Sequence, residues 1–284
     1  MVPEPIFTLF GRDVYLYGVF IALGLIACMV VFFLYTTKKK VPEKLQDFVF
    51  FVAVIAIALG FLSAMLYQAV YNWIETGYFN FYTAGLTVMG GIVGGVAVFL
   101  IVYFGVGKFL FKGKEKDLHI KHFGDILSVA PMCITIAHAF GRLGCLMSGC
   151  CHGAYLDDQP VFGGIYMDTV DDGAGYFVPT QLYESIFLFL LFAVLSVLYF
   201  KNCRITMHIY LIAYGIWRII IEFFRTDDRG AFILGLSPSQ WQSIAFIVAG
   251  VALIVFYVVK KWKFFAPKDE ENIVEDKTEI KLEN

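Results

Sequence analysis

Long apolar runs, broken by short polar or glycine-rich stretches, dominate this chain and predict helices rather than strands. Seven runs reach the roughly 20 residues needed to cross a hydrocarbon core: 14–36, 48–70, 86–107, 123–141, 181–200, 208–225 and 241–259. Charge marks the ends of the fourth run, with Asp125 at its start and His138 and Arg142 towards its close. Seven crossings put the two termini on opposite sides. The polar stretch from about residue 142 to 179 is the longest excursion and is rich in Gly and Asp; long loops of this kind are often functional. Residues 1–264 therefore read as one membrane domain without an internal repeat. From residue 265 a mixed-charge tail follows, expected to be disordered.

Composition supports the same class. The chain has 284 residues, 59% hydrophobic and 16% charged, where a soluble domain is nearer half apolar and a quarter charged. A net charge of −2 and the lack of a nucleic-acid motif argue against a nucleic-acid partner. The start, MVPEPIFTLFGRD, carries no basic segment before its apolar run, so that run is expected to be a retained helix and not a cleaved leader. Lysine placement orients the whole. All 16 lysines follow the first, third, fifth or seventh run, which the positive-inside rule makes the cytoplasmic side. Of six arginines only Arg204 joins them. The expected fold is thus an all-α integral membrane protein with seven transmembrane helices, N-terminus outside and C-terminus cytoplasmic.

Ionisable groups inside such spans are costly, and each is a candidate for function. In "YGIWRIIIEFFRTDDRG" (214–230) the side chains of Arg218, Glu222, Arg225 and Arg229 fall within roughly 60° on a helical projection, giving one polar stripe. It reads either as a structural ion pair or as a phosphate clamp, since a guanidinium fork matches two phosphate oxygens. "GRLGCLMSGCCHG" (141–153) supplies a second stripe. If the fourth helix continues into it, His138, Arg142, Cys145 and Gly149 share a face, while Cys150 and Cys151 point elsewhere. Gly141, Gly144, Gly149 and Gly153 allow close approach of backbone or lipid. "VPTQLYES" (178–185) opens the fifth helix, with Thr180 as its expected cap and Gln181, Tyr183 and Glu184 in its first turns. "MGGIVGG" (89–95), taken alone, reads as a close helix contact.

The pieces in order resemble the bacterial prolipoprotein diacylglyceryl transferase family: "YGV" at 17–19, "MGGIVGG" at 89–95, "GRLG" at 141–144, "PTQLYE" at 179–184, "YGIWRIIIEFFR" at 214–225 and "SPSQ" at 237–240. The resemblance implies transfer of diacylglyceryl from phosphatidylglycerol to the lipobox cysteine thiol of a lipoprotein precursor's signal peptide. Glycerol phosphate would leave, at a site open outward and to membrane lipid in the bacterial cytoplasmic membrane. It assigns catalytic parts to Arg142, Arg218, Glu184 and Glu222. Substrate binding falls to Tyr17, Gly90, Gly91, Gly144, Gln181, Tyr183, Arg225 and Gln240. No cofactor and no metal are implied. The chain departs from the family pattern in three places. Met89 stands where the pattern has His, Phe61–Ser63 where it has Arg-x-Gly, and Cys145, Ser148 and Cys150 where it has Asn, Asn and Glu. His138, one turn before Arg142, is the candidate replacement base.

The cysteines leave alternatives open. Cys28, Cys133 and Cys203 read as small apolar residues. C-x₄-C-C-H is not a standard zinc spacing, and a 145–150 disulfide requires the helix to break at Gly149. Cys145, beside Arg142 and His138, is a candidate nucleophile or acid–base group. A related lipid-group transferase working through an enzyme cysteine, and a non-catalytic lipid-binding or thiol-redox membrane protein, are the competing readings.

Overall fold

Runs of apolar residues fold here as long helices, even across Pro131, because in hydrocarbon every backbone N–H and C=O must find its partner within the segment. The computed structural model describes residues 5–9, 11–81, 87–157, 163–169, 172–225 and 235–260. The long helices are α1 (Leu16–Lys38), α2 (Glu43–Thr76), α3 (Val88–Leu110), α5 (Phe123–Met147), α6 (Thr180–Phe200), α7 (Thr206–Glu222) and α8 (Pro238–Lys260), with a single turn α4 (Leu118–Lys121) before α5. Among the described residues six of them, all but α7, are long and apolar enough to cross a membrane. Their outward side chains are apolar, as at Leu34, Phe51, Ile101, Leu190 and Val258, which suits contact with lipid rather than water. The chain is therefore an integral membrane protein. The expected tail from residue 265 and Arg229 lie outside the described residues.

Residues 36–125 form one compact unit and the other described residues a second. In the first, α2 and α3 pack antiparallel through small residues. Ser63 Oγ donates to the Gly90 carbonyl at 2.9 Å, and Gly60 lies directly against the backbone of Gly91 and Gly95. Close approach of this kind is how helices gain contact when lipid offers no hydrophobic drive. The far end is filled by Phe48, Tyr103, Phe111 and His119, with Tyr103 donating to the His119 carbonyl at 2.7 Å.

In the second unit Val31, Val129, Met132, Leu188, Leu191, Leu195, Tyr199, Tyr210 and Tyr214 build one core from α1, α5, α6 and α7. Cys28 and Cys133 belong to this packing, as their apolar reading anticipates. Polar ties fix the register: Thr206 Oγ1 donates to the Ser128 carbonyl at 2.7 Å and Ser185 Oγ to that of Ala139 at 3.0 Å.

Among the described residues strands occur only in short pieces that hydropathy does not announce. β1 (Pro5–Leu9) and β2 (Arg12–Tyr15) form a hairpin before α1. Between α5 and α6, β3 (Tyr155–Leu156), β4 (Ile165–Thr169) and β5 (Gly173–Phe177) make an antiparallel sheet in the order β3-β5-β4. Met167 and Phe177 from that sheet bury against Leu146 of α5. The stretch expected as an open loop from 142 is thus helical to Met147 and then carries a small packed cap.

Candidate active site

The second unit gathers its charged residues at one end of α5, α6 and α7. Glu184, in the first turns of α6, is wholly enclosed by protein. Its Oε2 faces Arg142 Nε of α5 at 2.9 Å. Its Oε1 accepts from the Tyr214 hydroxyl of α7 at 3.0 Å and lies 3.7 Å from His138 Nε2. His138 and Arg142 are one turn apart on α5, so both reach the same carboxylate. A carboxylate buried this deeply stays ionised only when paired, and here three helices converge to pair it. Arg142 is thereby pinned as a fixed positive charge.

Arg218 makes a second, parallel arrangement. Its Nη2 meets Glu222 Oε2 at 3.2 Å and donates to Ser239 Oγ at 3.1 Å. Nη1 is buried with no hydrogen-bond partner among the described residues. The second Glu222 oxygen accepts from Ser237 Oγ at 2.6 Å. Ser237 also opens α8. Its backbone N–H donates to Gln240 Oε1 at 2.9 Å while Gln240 N–H donates to Ser237 Oγ at 3.2 Å. That reciprocal pair is a capping box with Pro238 at the first helical position. The site thus contains two guanidinium groups, each facing its own carboxylate, and Nη1 of Arg218 is a buried, unused donor.

The cysteine stretch is folded differently from the expectation. α5 ends at Met147 and the chain turns back, with Gly149 at φ 66° and Cys151 at φ 63°. A Cβ at Gly149 would run into the Asp168 carbonyl, so glycine is required there both sterically and conformationally. The reversal corrects the reading that Cys150 and Cys151 point away from Cys145. The Sγ atoms of all three lie within 4.8 Å of one another, and all three are free thiols. That reading assumed one continuous helix to Gly149, which two left-handed residues preclude.

Thr180 is corrected as well. It is the first residue of α6 rather than its cap, and its hydroxyl donates to the Cys151 carbonyl at 2.9 Å. Gln181 Nε2 donates to the Cys150 carbonyl at 2.7 Å. Together the two residues clamp the cysteine turn to α6. Hydrogen bonds from Cys145 and Cys150, aided by the nearby charges of Arg225 and Arg142, hold the Cys151 thiol well below the ordinary range against the opposing effect of burial. At Cys150 the bond to Cys145 lowers the thiol, but the bond to Cys151 and burial outweigh it and the balance is upward.

The other candidates are distributed less evenly. Gly144 lets the ring of Tyr17 lie directly on α5. The Tyr183 hydroxyl donates to the Gly163 carbonyl at 3.1 Å and so reaches the loop instead of the carboxylates. The expected four-residue stripe on α7 is cut short: the helix ends at Glu222, and Arg225 follows in a turn. Gly90 and Gly91 belong to the α2–α3 unit, where they seat α3 against α2. Tyr214, Ser237 and Ser239 were missed. Tyr214 lies one turn before Arg218, on the same stripe as Arg218 and Glu222, and the projection that found those two would have found it. Ser237 was signalled by S-x-x-Q before an apolar run.

A family model described as prolipoprotein diacylglyceryl transferase matches residues 4–256. A protein of Clostridium perfringens named phosphatidylglycerol–prolipoprotein diacylglyceryl transferase 2 is 30% identical over 265 residues, 90% of this chain and 94% of its own length. A phosphatidylglycerol–prolipoprotein diacylglyceryl transferase of Clostridium tetani is 30% identical over 255 residues, 87% and 94% of the two chains. One of Streptococcus pneumoniae is 29% identical over 244 residues, 82% and 86%.

Proposed function

The chain belongs to the prolipoprotein diacylglyceryl transferase family, and from that premise we propose that it moves diacylglyceryl from phosphatidylglycerol to the cysteine thiol of a lipoprotein precursor. The observation that carries this reading is the buried, unpartnered Nη1 of Arg218. A donor enclosed without a partner is costly, and a phosphodiester oxygen is the acceptor that the reaction supplies. Arg142 and Arg218 hold the phosphate, and Glu184 and Glu222 orient them. As the carbon–oxygen bond breaks, negative charge builds on the departing glycerol phosphate, where fixed guanidinium donors stabilise it most. His138, 3.7 Å from Glu184, is the candidate base for the acceptor thiol. Tyr17 and Gly144 line the approach, Gln181 holds the cysteine turn beside it, and Arg225 adds positive charge there.

In this reading the chain crosses seven times with the N-terminus outside and α7 as the sixth crossing, and this end of the helices faces outward from a bacterial cytoplasmic membrane. The lysine segregation supports that orientation. The membrane domain spans residues 1–264 and the tail from 265 is cytoplasmic. The test is transfer itself. Purified protein with labelled phosphatidylglycerol and a lipobox peptide gives lipidated peptide and glycerol phosphate. No product, with the Clostridium perfringens relative active alongside, overturns the reading.

A further inference from the structure

Three thiols within 4.8 Å of one another are more than the phosphate clamp requires, and their setting is built. Cys145 comes from the last turn of α5, Cys150 and Cys151 from the reversal after it. Gln181 and Thr180 fix the two loop carbonyls, and Cys151 is held at a positive φ that a side-chain-bearing residue adopts at a cost. We propose that Cys145, Cys150 and Cys151 form a three-thiolate zinc site whose fourth position takes the acceptor thiol. Zinc–sulfur bonds of about 2.3 Å set sulfur separations of roughly 3.8–4.0 Å, so the trio needs to close by less than about 1 Å. Three protein ligands leave the fourth, exchangeable position that distinguishes working zinc sites from structural ones. The centre, three thiolates about one dication, carries net negative charge, and Arg142 and Arg225 lie within electrostatic reach of Cys151.

This deepens the transferase reading and rests on it. Sulfur alkylation needs a thiolate, and a coordinated thiol is deprotonated outright. The acceptor R–SH sheds its proton on taking the fourth position. A sulfur lone pair then forms the S–C bond to the glyceryl carbon. The C–O bond to phosphate breaks, and its electron pair leaves with glycerol phosphate. The shed proton passes to the base of the site and balances the charge gained by the leaving phosphate. The thioether product is a poorer ligand and departs.

Full-length protein in detergent is loaded with Zn²⁺ alone, or with Co²⁺ as a coloured probe. One zinc per chain is expected, with thiolate-to-cobalt charge-transfer absorption. A lipobox peptide should change that spectrum and a peptide with Ser for Cys should not. Cys150→Ser and Cys151→Ser should each bind zinc more than about tenfold more weakly, with circular dichroism confirming that they fold. Full transfer by protein stripped of metal overturns the proposal and leaves the transferase reading standing. So does a spectrum unmoved by the cysteine peptide. A cobalt spectrum that responds to the peptide, in a protein that transfers nothing, upholds the site and overturns the transferase reading instead.

Discussion

Glu184 has no contact with solvent, so its charge is tolerable only because Arg142, Tyr214 and His138 surround it. Removing one partner of a buried pair typically costs about 3–5 kcal/mol, while replacing both by apolar groups is often near neutral. Glu184→Ala is therefore expected to lower the thermal midpoint strongly. A Glu184→Leu/Arg142→Met double variant should recover most of that loss yet transfer nothing. Recovery of transfer along with stability would mean the pair is structural only. Arg218 invites a finer test, because its two functions lie on different atoms. Lysine at 218 keeps a positive charge beside Glu222 but loses the fork that leaves Nη1 free. Transfer is expected to fall roughly 100-fold, the scale of a lost transition-state donor, with little change in thermal midpoint. These four charged residues were legible in the sequence because an ionisable group in an apolar run stands out. Tyr214 was not singled out, since a tyrosine in an aromatic-rich chain does not.

Among the elements, α8 owes its start to the Ser237–Gln240 box, and the same serine hydroxyl anchors Glu222. The two variants separate these roles. Gln240→Ala removes the reciprocal cap alone, Ser237→Ala the cap and the carboxylate contact. Both should lose about 1 kcal/mol of stability, the usual value of a cap, and only Ser237→Ala should lose transfer as well, measured with labelled phosphatidylglycerol. The turn after α5 offers the opposite case, an element that helical periodicity conceals. Projection continues a helix as long as side chains permit, and periodicity alone does not show that the chain turns at Gly149, the first of the two left-handed residues. The same holds for β3, β4 and β5, whose two to five residues among glycines and aspartates are too short to show an alternation. Gly149→Ala should test the reversal directly. With both a positive φ and the Asp168 carbonyl against it, alanine should lower the thermal midpoint and cut cross-linking of Cys145 to Cys151 by a short bis-methanethiosulfonate reagent in metal-free protein.

For the molecule as a whole, hydropathy locates six of the seven expected spans among the described residues, because their lipid-facing positions are apolar. It says nothing of how helices partition, so the separation of residues 36–125 from the rest had no trace in the pattern. At this scale α7 is the element to test. Its 17 residues rise about 26 Å at 1.5 Å each, slightly less than a hydrocarbon core of about 30 Å, and its last turns carry Arg218 and Glu222. A short helix can still span when its polar end lies in a protein-lined, hydrated site rather than in lipid. That end is lined here by Ser237 and Ser239. Lys201 and Arg204 at the other end favour the cytoplasm. A fluorescent reporter fused to the C-terminus should therefore glow, since it folds only inside, while a phosphatase inserted after Asp157 should be active outside. If α7 turned back within the membrane, the C-terminal reporter would face outward and stay dark. α8 would then run in the opposite direction, and its capping serine would leave the outer face with Glu222 and Arg218. The donor lipid's phosphate would then have to be met from the cytoplasmic leaflet, so this one fusion decides the side on which the whole reaction runs.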